Sequence, residues 1–445
     1  MNTQKIATPL SRAERRRELR AIRQRALDLD LESILKKEGL SALAYQAGMA
    51  ALMKLMEDEI DCHCGVKGKW EQNPGGRRGY RNGWENGIVW IGGRPVSIER
   101  PRAIRTKEAG GGEIAIESYV AAQDPEFASD AVLTSLVLGV SQRTFSTVVN
   151  AVNPVGDVPV RGLSKSAVGR LFVAAASQYL KVFLSRRLDQ RYLVVWIDAV
   201  AAGKYSALAA IGLLESGEKQ VLGLRQCSSE GTAECREFLE ELSERGLCAE
   251  EGLLFVVDGG KGIGAALREV FGNQVLVQRC QVHKKRNVLD KLPESARDSV
   301  SKQLEELWSC QNPKLAQAKQ ELLARSLESQ KFSSAARSLR EGGRELLTAC
   351  ILEIPPSLLT TVANTNVIES AFSLHESTSH RVKRWRNGKQ FLRWVAAGLY
   401  RAERAFRRLS DQQALKELGL ALKTRVENRK NKTHEAGPIT LPLAS

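Results

Sequence analysis

Three acidic residues occur in sequence contexts that suit one metal site. Asp198 ends the apolar run 192–197, Asp258 ends the apolar run 253–257, and Glu369 lies within the segment 364–370. A carboxylate at the end of a buried strand is fixed and poorly solvated, so it is stable mainly when a hard cation or a donor neutralises it. In a chain of formal net charge +15, this pattern predicts metal-dependent chemistry on phosphodiesters.

The composition describes a globular chain with a polyanionic partner. Its 445 residues, 43% hydrophobic and 26% charged, predict roughly two to four domains. The chain shows no uninterrupted apolar stretch of membrane-spanning length and no secretory signal at its N-terminus, so we expect a cytoplasmic protein without a membrane partner. The 8 irregularly spaced cysteines predict reduced thiols, and the pI near 9.5 favours nucleic acid as the partner.

The first part of the chain predicts DNA-binding regions. Helical spacing extends over 11–59, and short strands joined by glycine turns are expected between Cys62 and Pro101. The stretches 129–152 and 164–184 predict helices that follow glycine turns with a serine able to cap each start. Such a pattern is typical of a helix-turn-helix, which makes Arg143 and Lys165 candidates for DNA contact; two ordinary capped helices are the alternative.

From Arg191 the pattern changes to strands and helices. The runs 192–199, 206–214 and 220–225 predict three consecutive antiparallel strands, followed by a helix over 232–244 and a strand over 253–257. This order matches a ribonuclease H-like core, in which the first and fourth strands are neighbours, so Asp198 and Asp258 would meet at one sheet edge. A fifth strand is expected at 276–278, and the stretch 293–352 predicts helices alone.

The predicted fold class is therefore α+β, with a ribonuclease H-like mixed sheet interrupted by an all-helical insertion and preceded by helical and small β DNA-binding regions. The expected boundaries are 1–60 for the N-terminal helical region, 61–120 for the β-rich unit, 121–188 for the helix-turn-helix-like region, 189–290 for the first part of the catalytic core, 291–360 for the insertion, 361–410 for the second part of the core, and 411–445 for a basic C-terminal helix and tail.

Four motifs in order resemble one known family. They are Asp258-Gly-Gly-Lys-Gly, Arg279-Cys-Gln-Val-His-Lys-Lys-Arg-Asn-Val, Asn366-Val-Ile-Glu-Ser and Val382-Lys-Arg-Trp-Arg-Asn-Gly. Together they resemble Mutator-type transposases of bacterial insertion sequences, over about 79–408. The chain departs from many relatives at Ala199, where they have glycine, and at Glu376, where they have a basic residue.

The resemblance implies a D-D-E triad formed by Asp198, Asp258 and Glu369 and two Mg²⁺ ions, for which Mn²⁺ can substitute. Asp198 would be shared by both ions, Asp258 would hold one and Glu369 the other. The implied activity is binding of terminal inverted repeats in double-stranded DNA, then strand cleavage and strand transfer by a homodimer on paired ends, in the bacterial cytoplasm at the nucleoid. The alternatives are a ribonuclease H-like nuclease without strand transfer and a non-catalytic DNA-binding regulator.

Several further residues are candidates for roles in the site. Cys280 and His283 supply only two of the four ligands that a structural zinc needs, and Cys62, His63 and Cys64 are distant in sequence. The resemblance instead implies that His283 lies near the carboxylates as a catalytic residue. The DNA-contact candidates beyond Arg143 and Lys165 are Lys284, Lys285, Arg381, Lys383, Arg384 and Trp308. For Trp308, core packing is the alternative to base stacking.

Overall fold

The computed structural model describes residues 31–66, 78–91, 94–123, 126–138, 140, 145, 164–227, 231–272, 275–380 and 382–435. The chain divides into two compact units, 1–175 and 176–445. Helices and two sheets occur together, which confirms the α+β class. The finer domain boundaries stay a prediction.

The first unit contains a long antiparallel hairpin packed on a helix. Its elements are helix α1 (Leu31–Cys64), strands β1 (Gly79–Ile91) and β2 (Arg94–Arg105), and helices α2 (Glu117–Ala122) and α3 (Glu126–Val137). Met56 and Ile60 of α1 pack against Val89 and Ile98 of the hairpin. Short strands were expected here, but β1 and β2 pair along nearly their whole length.

Helix α4 (Lys165–Ser185) begins as the sequence predicts. The Ser164 hydroxyl accepts a hydrogen bond from the Ala167 amide at 3.2 Å, which satisfies one free donor of the first turn. Arg143 and the first predicted glycine turn lie outside the described residues, so no helix-turn-helix can be traced. By length and composition alone, α4 is the one helix in the described part of the chain that could cross a membrane. Core helices pass the same test, and Phe172, Ala176 and Phe183 of α4 are buried.

The second unit is built on a five-stranded sheet. Strands β3 (Tyr192–Ala202), β4 (Tyr205–Leu214) and β5 (Lys219–Cys227) are antiparallel, as expected, and β6 (Leu254–Val257) and β7 (Leu276–Arg279) are parallel to β3. The strand order is β5-β4-β3-β6-β7. The first and fourth strands of this unit are therefore neighbours, which places the ends of their apolar runs side by side.

Alternation along β3 separates two hydrophobic cores. Val195 and Ile197 pack with helices α5 (Thr232–Glu244) and α6 (Lys261–Phe271). Val194 and Trp196 face the opposite core, which contains helices α13 (Asn366–Ser379), α14 (Gly388–Ala405) and α15 (Gln412–Glu435). Since side chains alternate along a strand, Asp198 lies on the same face as Trp196, toward α13.

At both edges of the sheet, side chains from neighbouring segments bind backbone polar groups of the edge strand. At β5, the Glu403 carboxylate accepts a hydrogen bond from the Val221 amide at 2.7 Å, and the Arg186 guanidinium donates to the Val221 carbonyl at 2.8 Å. At β7, the Thr348 hydroxyl donates to the Val277 carbonyl at 2.6 Å.

A helical segment separates β7 from α13. It comprises α7 (Gln281–Leu289), α8 (Glu294–Trp308), α9 (Pro313–Ser329), α10 (Ser333–Gly342), a 3-10 helix (Gly343–Leu347), α11 (Thr348–Ile351) and α12 (Pro356–Val362). Residues 281–380 are all described and contain no strand, as the sequence predicts for 293–352. The segment has its own core, in which Leu304, Leu327 and Leu339 are fully buried.

Candidate active site

Two of the predicted carboxylates lie side by side where the parallel pairing of β3 and β6 ends. Asp198 is within β3, and Asp258 directly follows β6. The β3–β6 register pairs Ile197 with Val257, so Asp198 and Asp258 are each the next residue. Each carboxylate is held by a backbone amide. Asp198 Oδ1 accepts from Ala199 N at 2.8 Å, and Asp258 Oδ1 accepts from Gly260 N at 2.9 Å. Ala199 is not among the described non-glycine residues with positive φ, so alanine fits this position without strain.

Glu369 lies on the first turns of α13, which reaches the same end of the sheet. The segment before α13 is tied to β3 because Trp196 Nε1 donates to the Asn364 carbonyl at 3.1 Å. It is tied to α7 because Gln281 N donates to the Ala363 carbonyl at 3.1 Å. These bonds place Glu369 near Asp198, although the two residues are far apart in sequence.

Cys280, His283 and Thr365 form a hydrogen-bonded group beside Glu369. Cys280 follows β7 and caps α7, and its sulfur accepts from His283 N at 3.4 Å and lies 3.2 Å from Thr365 Oγ1. Thr365 Oγ1 also lies 3.4 Å from His283 Nδ1 and donates to Glu369 Oε1. His283 Nε2 is 3.8 Å from the same carboxylate oxygen. The group therefore links the end of β7 to Glu369.

The charges in the site are strongly coupled. The pKa of Asp198 is raised to about 7, first by burial and also by Asp258 and Glu369, against the opposing effects of Ala199 N and His283. The pKa of His283 is raised to about 9, first by its hydrogen bond to Cys280 and also by Glu369 and Asp198, against the effect of burial. Burial alone would raise the pKa of the Cys280 thiol, but hydrogen bonds from His283 and Thr365 lower it. Asp198 and His283 therefore act on each other, and Glu369 acts on both.

Two sets of ligand atoms are available to a metal ion, and they share Glu369. Cys280, His283 and Glu369 have ligand atoms within 4.8 Å of one another. Two observations argue against a metal at this first set. The Cys280 sulfur is buried and already accepts several hydrogen bonds. His283, when protonated, has no free lone pair to offer a metal. The second set is Asp198, Asp258 and Glu369, whose oxygens suit a hard cation. Its partly buried, mutually repelling carboxylates fit a divalent ion better.

Arg279 and Lys284 lie beneath the site as part of a buried ion-pair network. Both are almost fully buried, and both bind Glu341, at 2.9 Å from Arg279 Nη1 and 2.5 Å from Lys284 Nζ. Arg279 Nη2 also donates to the Gly259 carbonyl at 2.9 Å. A Cβ on Gly259, whose φ is +97°, would lie 2.1 Å from Arg279 Nε. Arg279 therefore holds the turn that follows Asp258, and Lys284 is not exposed to a phosphate.

The remaining predicted DNA contacts lie in different environments. Lys285 forms an ion pair with Glu305, and Trp308 is only 8% exposed in the core of the helical segment, so a base cannot stack on its ring in this conformation. Lys165, Lys383 and Arg384 are exposed. Arg381, like Arg143, lies outside the described residues.

Trp385 anchors the basic stretch before α14. Its ring contacts Phe391 edge-on at 5.5 Å, and Gly388 approaches Gln226 near the end of β5. Through β4, this end of β5 lies on the same side of the sheet as the end of β3. This contact brings Lys383 and Arg384 toward the carboxylate end of the sheet.

Sequence reasoning missed Thr365, Arg279 and Glu341. Thr365 precedes Glu369 by four residues, the spacing at which helical side chains meet, and this signal could have been noticed. Glu341 is far from its partners in sequence, and its helix carries many charges, so no local pattern distinguishes it.

Comparison with known proteins gives a consistent result. A family model described as "Transposase, Mutator family" matches residues 22–407. The transposase of insertion sequence element IST2 from Acidithiobacillus ferrooxidans is 29% identical over 51% of this chain and 76% of its own length. That of IS256 in transposon Tn4001 from Staphylococcus aureus is 26% identical over 70% of this chain and 78% of its own. That of ISRM5 from Rhizobium meliloti is 28% identical over 61% and 66%. Because the family model covers most of its length, this chain belongs to the Mutator family of transposases.

Proposed function

We propose that this chain is a D-D-E transposase with a ribonuclease H-like core, in which Asp198, Asp258 and Glu369 form the catalytic triad. One observation carries the proposal: the two aspartates are neighbours just past the last residue pair of the parallel β3–β6 ladder, and Asp258 and Glu369 both act on the pKa of Asp198. Membership of the transposase family supports DNA as the substrate. The seven predicted regions, with 291–360 as the helical insertion, belong to this proposal.

The carboxylate oxygens of the triad would hold two Mg²⁺ ions, with Mn²⁺ as a substitute, Asp198 being shared and Asp258 and Glu369 holding one ion each. When bound, the ions supply activation of a water or a 3′-hydroxyl and stabilisation of the leaving oxygen. Three carboxylates leave part of the metal charge for the DNA phosphate to balance. The β3–β6 pairing and the backbone amides of Ala199 and Gly260 keep both aspartates in fixed positions. The negative charge of the site is therefore organised before DNA binds.

His283 and Thr365 act on the substrate and on Glu369. Thr365 donates to Glu369 Oε1 and fixes the direction of that carboxylate. His283 is cationic at neutral pH because of its neighbours, so its ring can donate a hydrogen bond to a phosphate oxygen near Glu369. His283 is thus proposed as a catalytic residue, whereas Thr365 and Cys280 are positioning residues.

The proposed reaction begins with recognition of the terminal inverted repeats of the element. Hydrolysis then frees the 3′ ends, and direct transesterification joins them to target DNA. No covalent intermediate with the protein is required, since each step displaces one oxygen of a phosphodiester by another. Two ends must react together, which favours a homodimer on paired ends. Arg143, Lys165, Arg381, Lys383 and Arg384 are the proposed DNA contacts.

The test uses a labelled duplex that carries one end of the element, with wild type, Asp258→Asn and the control Asp298→Asn, whose carboxylate is exposed on α8. We expect Mg²⁺-dependent nicking at the repeat boundary and joined products from wild type and the control, and none from Asp258→Asn. Nicking without joined products would support a nuclease without strand transfer. Specific binding without cleavage in Mg²⁺ or Mn²⁺ would support a DNA-binding regulator, and normal nicking by Asp258→Asn would remove this triad.

A further inference from the structure

A polar cleft opens next to Asp258, between the end of the sheet and the helical segment. It has a volume of about 650 Å³. One wall is the turn Asp258–Gly260. A second wall is α7 with the residues that follow it, and a third is α10; helices α7 and α10 pack against each other. The cleft therefore begins at a proposed catalytic carboxylate and leads away from it.

The lining is cationic and rich in hydrogen-bond donors. It contains the four cations Arg279, Lys284, Lys291 and Arg337 and the two carboxylates Asp258 and Glu341, which leaves a net charge of +2. Glu341 pairs with the two buried cations, Arg279 and Lys284. With Asp258 as the second carboxylate, the charges of these two cations are balanced, and the excess of +2 corresponds to Lys291 and Arg337.

Lys291 and Arg337 are both exposed, and their side chains form no ion pair or hydrogen bond with any described residue. Asn287 and Ser334 add uncharged polar groups to the same lining. Glu341 binds the side chains of both cations at the base of the cleft, so the two cations at the rim are the ones whose donors are open to a ligand. Cations and hydroxyl or amide donors along a groove are the groups that bind phosphate and sugar oxygens.

We propose that this cleft binds the sugar-phosphate backbone of one DNA strand as it leaves the catalytic carboxylates, with Lys291 and Arg337 each contacting a phosphate. The inference rests on the proposed function. It adds to that function the route that one DNA strand follows beyond Asp258. A single strand is the occupant because the cleft lies between two packed helices and its volume is that of a small-molecule site, too small for a duplex.

The test compares two probes of mixed sequence, a blunt duplex and the same duplex with a single-stranded extension. The variants are Lys291→Gln, Arg337→Gln and the double variant, and the matched control is Lys319→Gln, an exposed lysine on α9 away from the cleft. All replaced side chains are exposed, so the fold should be kept, and circular dichroism checks it.

We expect each cleft variant to bind the extended probe about fivefold more weakly at 0.1 M salt, since one phosphate contact to a single strand gives a salt slope of about 0.7. The double variant should reduce that slope by about 1.4 and weaken binding about 25-fold, while the blunt duplex and the Lys319→Gln control change little. Unchanged affinity of the double variant for the extended probe would overturn the proposal. So would an equal loss with the blunt duplex, because the cleft would then contact duplex DNA.

A cross-linking measurement locates the strand directly. Ser334→Cys, in a background where the exposed Cys62 and Cys248 are replaced by serine, carries a photoreactive group beside the cleft. We expect cross-links to the single-stranded extension from this position and none from Lys319→Cys. Cross-links only to the duplex part would contradict the proposed path.

Nicking of the element end by wild type in Mg²⁺ distinguishes failure of the cleft proposal from failure of the proposed function. If wild type nicks and the double variant binds normally, the cleft proposal alone fails. If wild type binds but never nicks, the proposed function fails, and the binding comparison still decides whether the cleft holds DNA.

Discussion

Asp198→Asn should stabilise the metal-free protein at pH 8. Burial and the neighbouring carboxylates raise the pKa of Asp198 from 3.8 to about 7 in the folded state. Between these values the folded state binds more protons than the unfolded chain, so the free energy of unfolding falls as pH rises from 3.8 through 7 and stays low above pH 7. Asparagine carries no charge at any of these pH values and escapes this loss.

The magnitude follows from the shift. A difference of about three pH units corresponds to about 4 kcal/mol, and the partial solvent contact of Asp198 reduces our expectation to about 2 kcal/mol. For a unit of this size, that is an increase of about 4–8 °C in the midpoint of thermal unfolding. The same variant should lose most of the stabilisation by Mg²⁺, which for wild type is about 2.7 kcal/mol at 100 times the dissociation constant.

The assay is thermal unfolding in EDTA and in Mg²⁺, at pH 4 and pH 8, with hydrogen exchange of β3 peptides to report on the sheet. Asp298→Asn, the same replacement at an exposed position, controls for the effect of changing an aspartate to an asparagine. The advantage of Asp198→Asn should appear at pH 8 in EDTA, vanish at pH 4, and be offset in Mg²⁺. Equal stability of wild type and Asp198→Asn at pH 8 in EDTA, or equal stabilisation of both by Mg²⁺, would refute the reasoning.

Three further predictions concern single residues. Gly259→Ala should reduce nicking roughly tenfold or more by displacing the turn after Asp258, since a Cβ there meets Arg279, whereas Gly264→Ala should not. Burial lowers the pKa of His375 to about 4, so wild type should lose about 3 kcal/mol relative to His375→Gln as pH falls from 6.5 to 4, measured by urea unfolding. Glu403→Gln should lower stability by about 2–3 kcal/mol in the same assay, because it leaves Arg186 partly buried without its ion pair.

Opposite outcomes would be informative for each residue. Normal nicking by Gly259→Ala would show that the turn tolerates a side chain. Parallel pH curves for wild type and His375→Gln would mean that the histidine is not buried in solution. Unchanged stability of Glu403→Gln would show that the bonds between α14 and β5 are weak.

The strands and helices of the second unit could be predicted because their patterns are local. The alternation and apolar runs predicted β3, β4 and β5 to within about three residues at each end, and the helix over 232–244 matches α5. The adjacency of Asp198 and Asp258 followed from strand order, since a fourth strand beside the first brings their ends together.

Other parts of the site depend on contacts that sequence patterns do not carry. The basic run after His283 predicted exposed cations, yet Lys284 is buried because Glu341, 57 residues later, neutralises it. Trp308 is in a core because the helices around it pack on one another, which no single helix reveals. The long hairpin was predicted as short strands because glycine and proline interrupt its alternation, although both fit a two-stranded sheet.

The side chains bound to the sheet edges bear on how the protein behaves at high concentration. An edge strand with free amide and carbonyl groups can recruit a strand from another molecule and start aggregation. Here Glu403 and Arg186 occupy both polar groups of Val221 on β5, and Thr348 occupies the Val277 carbonyl on β7. Copies of the protein that meet at high concentration therefore present edges that are already hydrogen-bonded at these positions, and association through added strands is blocked there.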